Sequence, residues 1–338
     1  MRLEILFISG DDVDRLGLAD AEVLKAVEAG LRAHGEGEVV LPPKSHLSLE
    51  ERHGGHFNIL AGYVGCLDVA GVKVIGDYAH NHRRALPSEL ALLTLYHPDT
   101  GIPFAILDAT RLTWMRTGAV TAIGARHLAR PDSRVLGHIG ARGTARYNLR
   151  YLAGLFDLDE IRVTSRRPES RAEFARAMSE ELGREVVAVN TAAEAIDGAQ
   201  IIVDASRLTE PAVLVPTVAV HPGALVVPYG AVMSTEADLP STAEKFVVDH
   251  WEGAARGQFG QYTEIIRAGE LRREHLYAEI GEIVTGRKPG RERLDERIVF
   301  WHRGFAISDV MLGNLIYERA TSAGIGSRLV LQSAAYEL

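Results

Sequence analysis

Between residues 135 and 148 the chain reads VLGHIGARGTARYN. A short apolar run ends in a glycine, a small residue follows five positions on, and a helix-like segment begins at once. The frame is Gly140-x-Arg142-x-x-Ala145. In a dinucleotide-binding turn, three small residues have separate jobs: a tight turn, room for the pyrophosphate, and close packing of helix on strand. Gly140 and Ala145 supply the first and third. Arg142 occupies the second, where its Cβ crowds the phosphates. Gly143 returns backbone freedom one residue later, and the Arg142 guanidinium can itself reach a phosphate oxygen. Thr144 and Ala145 open the helix, whose first N–H groups face an anion.

The pattern around this turn constrains the fold further. SRVLGHIG, TARYNLRYLAGLF, EIRVTS, PESRAEFARAMSEELG and EVVAV alternate strand and helix, and the apolar runs AQIIVDAS, GALVVPYG and KFVVD follow. Strands separated by single helices imply right-handed parallel crossovers and a doubly wound α/β sheet of the Rossmann type. The first hundred residues read differently. One helix, ADAEVLKAVEAGLRAHGEG, precedes the strand-like runs HFNILAGYV, GVKVIGDYA and SELALLTLY, and PDTG forms a hairpin turn. This suits an α+β domain built on a mostly antiparallel sheet with one flanking helix. TWMRTGAVTAIGARHLA has helical spacing, with Thr113 as its expected N-cap. The closing stretch from RIVFW onward reads as a strand followed by a long helix. From pattern alone this segment can either close the dinucleotide domain or return to the first one.

The second strand of the alternating half ends in VTSRRPES. A carboxylate for the adenosine 2′-hydroxyl is missing at this point. Ser165, Arg166 and Arg167 stand there instead, which favours NADP(H) over NAD(H). The remaining composition excludes several classes. A formal charge of −8 argues against non-specific binding to nucleic acid or an acidic membrane surface. The single cysteine, Cys66, forms no internal disulfide and builds no cysteine zinc cage. The start MRLEILFISGDDV is too short and acidic for a signal peptide, and no run approaches a membrane span, so a cytoplasmic protein is expected.

Four polar-rich stretches, LPPKSHL, GVKVIGDYAHN, ALPSELALLTLYHPDTGIPFAILDAT and LTWMRTGAVTA, stand in the first third. Together with the glycine turn, GEIVTGRKPGR and the closing FAISDV, they resemble the ornithine cyclodeaminase/mu-crystallin family along nearly the whole chain. The resemblance implies a two-domain homodimer that binds a nicotinamide dinucleotide and acts on a small amino or imino acid, with residues 1–113 and about 312–338 in the dimerisation and substrate domain and 114–311 in the dinucleotide domain. It places Lys73 at the family's active-site lysine, Arg116 at its carboxylate-binding arginine, and Lys44 at a second carboxylate contact. Expected cofactor contacts are Arg116, Thr117, Gly140, Arg142, Gly143, Thr144, Ala145, Ser165, Arg166 and Arg167, with Ala205, Ser206, Tyr229 and Gly230 at the ends of later strands.

The chemistry agrees with these positions. An α-imino acid needs fixed cations for its carboxylate, and hydride delivery to C=N needs a proton donor near the nitrogen. One departure limits the reading. The family's cyclodeaminases and related dehydrogenases carry an aspartate after a Gly-Ala pair, whereas Gly230-Ala231 is followed here by Val232; Asp238-Leu239 keeps the later acidic-Leu pair. Asp77, His80 and His82, a few residues beyond Lys73, are the candidates to take over its polar role, with Lys73, Asp77 and His82 expected to be catalytic; Tyr229 and His250 are weaker ones. The spacings fit no metal site, and none is expected. The leading expectation is an NADP(H)-dependent imine reductase or amino-acid dehydrogenase. The alternatives are a redox-neutral NAD-dependent cyclodeaminase and a non-catalytic NADPH-dependent binding protein.

Overall fold

The computed structural model of the protein describes residues 2–208 and 210–333, with the backbone alone at His82. The chain divides into two compact units, one running to Arg116 and resuming at Phe305, the other Thr117–Gly304. In the first unit, strands β1 (Leu3–Ile8), β2 (Val39–Val40), β3 (Ser45–Ser48), β4 (His56–Val64), β5 (Val69–Asp77), β6 (Glu89–Tyr96) and β7 (Pro103–Asp108) form one sheet. Its order is β1-β7-β6-β5-β4-β2, with β3 also on β4. All the pairs are antiparallel except β1 with β7, which is parallel. The β6–β7 hairpin closes at the expected PDTG, where Gly101 takes φ +69° and its N–H donates to His97 O.

The helix Asp20–Glu36 buries Val23, Leu24, Val27 and Leu31, spaced by three and four residues as one helical face requires. Each such side chain contributes about 1.5–3 kcal/mol when fully buried. A left-handed Gly37 ends the helix. The helix Thr110–Leu128 starts three residues before the expected N-cap. Asp108 Oδ1 accepts from Thr110 N, which anchors the first turn, and the Thr113 hydroxyl instead donates to Ala109 O.

The second unit contains β8 (Val135–Ile139), β9 (Glu160–Thr164), β10 (Val187–Ala188), β11 (Ile201–Asp204), β12 (Leu225–Pro228), β13 (Lys245–Val248), β14 (Ala278–Glu279) and β15 (Ile298–Trp301). They make a wholly parallel sheet in the order β10-β9-β8-β11-β12-β15-β13-β14. β8, β11, β12, β13 and β15 are buried along most or all of their length, as strands covered on both faces must be. Strand order reverses between β8 and β11, and ligands of such sheets bind in the crevice at that switch point.

The chain then returns to the first unit through the helix Ala306–Ala323 and strand β16 (Ser327–Gln332), which pairs antiparallel with β1. The boundary therefore falls at residue 305, not near 312, because the helix enters the first unit whole. It packs on β4, β5 and β6, and the helix Asp20–Glu36 packs against it in turn, so the helix laid on this sheet comes from the end of the chain. Gly71 of β5 permits the approach: a Cβ there would lie 2.7 Å from Val310 Cγ2. Among the described residues no helix is long and apolar enough to cross a membrane.

Candidate active site

Alternation along β5 sends Gly71 and Lys73 to the face covered by the helix Ala306–Ala323. With Gly71 against Val310, Lys73 meets the preceding residue, Asp309, which is fully buried. Lys73 Nζ donates to Asp309 Oδ1 at 2.6 Å and to Thr113 Oγ1 at 3.2 Å. Arg116, one turn beyond Thr113, donates from Nε to the same Asp309 Oδ1 at 2.9 Å. Lys73 is 1% and Arg116 6% exposed.

Burying two cations against one carboxylate is costly, and the lysine pays for it in basicity. Burial first, then the Arg116 guanidinium, pull its pKa from 10.5 down to about 7; Asp309 pushes it up, and the Lys44 charge pulls it slightly further down. A buried amine poised near neutrality is suited to giving and taking a proton. The cluster also keeps an excess positive charge, which can receive an anionic group.

The glycine turn follows β8 as its sequence requires. Gly140 takes φ +112°, open to glycine but not to L side chains, and a Cβ there would lie 2.7 Å from Ala205 O. Its N–H donates to Thr164 O at the end of β9. The turn is thus held against the ends of β9 and β11, the strands on either side of β8. Gly143 takes φ +54°, and the helix Ala145–Leu155 begins with no side-chain cap. Its first turn keeps the donors that a pyrophosphate needs.

Beneath the turn, His138 Nδ1–H donates to Gly140 O at 2.9 Å, and Nε2 accepts from Asn148 Nδ2 at 3.0 Å. Burial lowers the His138 pKa to about 4, so the imidazole is neutral and its tautomer follows from these bonds. Asn148 Nδ2 also lies 3.3 Å from the Tyr229 hydroxyl, and Tyr229 stacks on His302. Ser206 N–H donates to Asp204 Oδ1, while Tyr229 and Gly230 follow β12.

Arg166 and Arg167 are exposed beyond the end of β9, and Arg142 is exposed in the turn. Among the described residues none of the three forms an ion pair. Ser165 O is held by Arg171 Nη1. The residues of this turn fit the phosphates of a nicotinamide dinucleotide.

The other sequence candidates lie apart from Lys73. Asp77 shares its face of β5 but sits about 13 Å further along the strand. It approaches His56 at 3.8 Å, and His56 Nδ1 pairs with Glu50 at 3.0 Å. His80 is exposed in the 3₁₀ turn Ala79–Arg84. The His82 side chain lies outside the described residues. His250 caps the helix Trp251–Ala255, its Nδ1 accepting from Gly253 N, which accounts for it structurally. Thr117 follows Arg116 in the same helix and is buried. Val232 is 3% exposed within an apolar cluster that includes Leu239, Phe246 and Trp301. Among the described residues no cluster of side chains could hold a metal ion.

The residue that the sequence candidates omit is Asp309. It lies in FAISDV, one of the stretches that carry the family resemblance, as a carboxylate inside the apolar run FAISDVMLGNLI.

The sequence profile of the ornithine cyclodeaminase/mu-crystallin family matches residues 5–324, and the chain belongs to that family. It is 30% identical to an alanine dehydrogenase of Archaeoglobus fulgidus, over 97% of this chain and 98% of that one. Among solved structures, it is similar to the Δ1-pyrroline-2-carboxylate reductase of Thermococcus litoralis in complex with NADH and L-proline. There the TM-score is 0.89 and the identity 31%, covering 96% of this chain and 99% of the other. It is equally similar to an archaeal alanine dehydrogenase dimer with bound NAD, with a TM-score of 0.89 and 30% identity over 98% and 100% of the two chains. The fold is the two-domain α/β architecture of these Rossmann-type dehydrogenases.

Proposed function

We propose that the protein is an NADP(H)-dependent oxidoreductase that reduces the C=N bond of a small imino acid, or oxidises the matching amino acid. The observation that carries this reading is Lys73, a buried amine brought to about pH 7 beside a buried arginine. Arg116 and Lys44 bind the substrate carboxylate. Lys73 gives a proton to the imine nitrogen as the C=N carbon becomes tetrahedral, and takes one back in the reverse direction. The bound nicotinamide supplies or accepts the hydride.

The cofactor phosphates belong on the N–H groups after Gly140 and on Arg142, and a 2′-phosphate on Arg166 and Arg167. Ala205, Ser206, Tyr229 and Gly230, at the ends of β11 and β12, are assigned to the same cofactor, together with Arg116 and Thr117. The similar structures hold NADH and NAD, so the preference for NADP(H) rests on Ser165, Arg166 and Arg167 alone. Cyclodeamination is disfavoured because Val232, packed in the core, offers no group for a second substrate nitrogen.

The assembly we assign is a homodimer. On the helix-free face of the first sheet, Leu47, Val74, Leu90 and Leu92 share one side by strand register and are 52, 39, 52 and 52% exposed. A continuous apolar face of this kind needs a partner, and a second copy would cover it with its own.

The test is consumption of NADPH and NADH with a panel of cyclic imino acids, and of oxo acids with amines. Turnover of a carboxylate-bearing imine with NADPH preferred is expected. Tight NADPH binding with no turnover across the panel would refute the reading.

A further inference from the structure

Asp309 is tied to both cations of the site through a single atom. Lys73 Nζ and Arg116 Nε converge on Oδ1, while Oδ2 is buried with no hydrogen-bond partner among the described residues. A carboxylate placed for charge balance alone would divide its oxygens between two such donors. We propose that Asp309 is the positioning residue of the site, one oxygen clamping the proton-donating ammonium to the carboxylate-binding guanidinium. The inference rests on the roles just assigned to Lys73 and Arg116.

The groups facing Lys73 Nζ come from each element packed around it. The helix Thr110–Leu128 contributes Thr113 and Arg116, the helix Ala306–Ala323 contributes Asp309, and the segment before β3 contributes the charge of Lys44. Asp309 is the one anion in this set, and it opposes burial and both neighbouring cations. It has two consequences for the reaction. It keeps a usable fraction of Lys73 protonated at neutral pH, and it fixes Nζ relative to the guanidinium that receives the substrate carboxylate. An entering carboxylate brings a second negative charge to this cation pair, so substrate capture favours the protonated lysine that reduction consumes.

The chain contains only five lysines, so the titration of Lys73 can be followed directly by NMR on protein labelled with ¹³C at lysine Cε, with Lys73→Arg assigning the resonance. In Asp309→Asn the midpoint should fall by about a unit or more, as expected when an opposite charge in contact is removed. Thr113→Val, which removes a neutral contact to Nζ, should move it by much less. An unmoved midpoint in folded Asp309→Asn, or an equal shift in Thr113→Val, would overturn the proposal.

Asp309→Glu keeps the charge and moves it by one methylene, and it carries the test if Asp309→Asn fails to fold. Positioning requires at least a tenfold loss of kcat/KM with the midpoint within about a unit of wild type. Wild-type kcat/KM in that variant would likewise overturn it. The titration needs neither cofactor nor turnover. Its failure would therefore count against Asp309 alone, and absence of turnover with the titration intact would count against imine reduction alone.

Discussion

Replacing Arg116 with glutamine should move the pH profile of imine reduction upward. Lys73 Nζ lies 2.6 Å and Arg116 Nε 2.9 Å from one oxygen, so the two nitrogens are at most 5.5 Å apart. At an effective dielectric of about 20, two unit charges at that distance repel by about 3 kcal/mol, or about two pH units. In the wild type, reduction draws on the ammonium form, so kcat/KM should be level on the acid side and fall roughly tenfold per pH unit above about 7. In Arg116→Gln the fall should begin near pH 9. KM should also rise, by roughly ten- to a hundredfold, for the loss of charged hydrogen bonds worth about 1.5–3 kcal/mol. The assay is oxidation of the reduced cofactor at low imino-acid concentration across the pH range. There kcat/KM reports the free enzyme, and titration of the substrate itself is common to both proteins. A midpoint that stays within half a unit of wild type would show that the guanidinium does not set the lysine's basicity, and would refute the electrostatic account of the site.

Other substitutions probe the remaining parts. Gly140→Ala forces a positive φ costing about 1–2 kcal/mol and drives a Cβ into Ala205 O, with overpacking worth about 1–3 kcal/mol more, so the protein should melt several degrees lower and lose cofactor affinity; an unchanged melting curve would contradict the turn geometry. Arg166→Ala should weaken NADPH roughly tenfold or more and leave NADH nearly unaffected in fluorescence titrations, whereas equal losses would remove the 2′-phosphate assignment. Leu92→Lys places a charge on the exposed sheet face and should give monomers in analytical ultracentrifugation, against dimers for the wild type. Lys44→Ala should raise the Lys73 midpoint by less than Arg116→Gln does, because its charge is the weaker of the two cations that lower it.

Much of the fold was legible because it is written in local periods. The apolar spacing of Val23, Leu24, Val27 and Leu31 identifies a helix face, and the runs around Val135, Ile201 and Leu225 identify buried parallel strands. The errors came where a neighbour decides the boundary. Thr113 has the side chain of an N-cap, but Asp108 binds Thr110 N first and starts the helix earlier. The return to the first unit comes at Phe305, ahead of the expected 312, because sequence alone does not show which sheet the Ala306–Ala323 helix covers. That depends on contacts with Gly71, Leu93 and Gly30, each more than two hundred residues away in the chain.

The site divides along the same line. Lys73, Arg116 and Asp309 all stand in recognisable motifs, but Asp309 meets the other two across sequence separations of 236 and 193 residues, so the pairing itself lies beyond any local pattern. A physical argument still pointed to it. A carboxylate in the first turn of an otherwise apolar helix costs several kcal/mol to bury unless cations meet it. FAISDV therefore demanded partners that the local sequence does not provide. Once Lys73 and Arg116 are found there, the loss of the family aspartate at Val232 takes on a narrower meaning. It removes a polar group from the second unit, while the first unit keeps an anion between two cations and one positive charge in excess. That excess is what an incoming carboxylate would neutralise. On the proposed mechanism, the departure at Val232 would bear on which substrates can be handled, and the buried triad on whether a proton can be delivered.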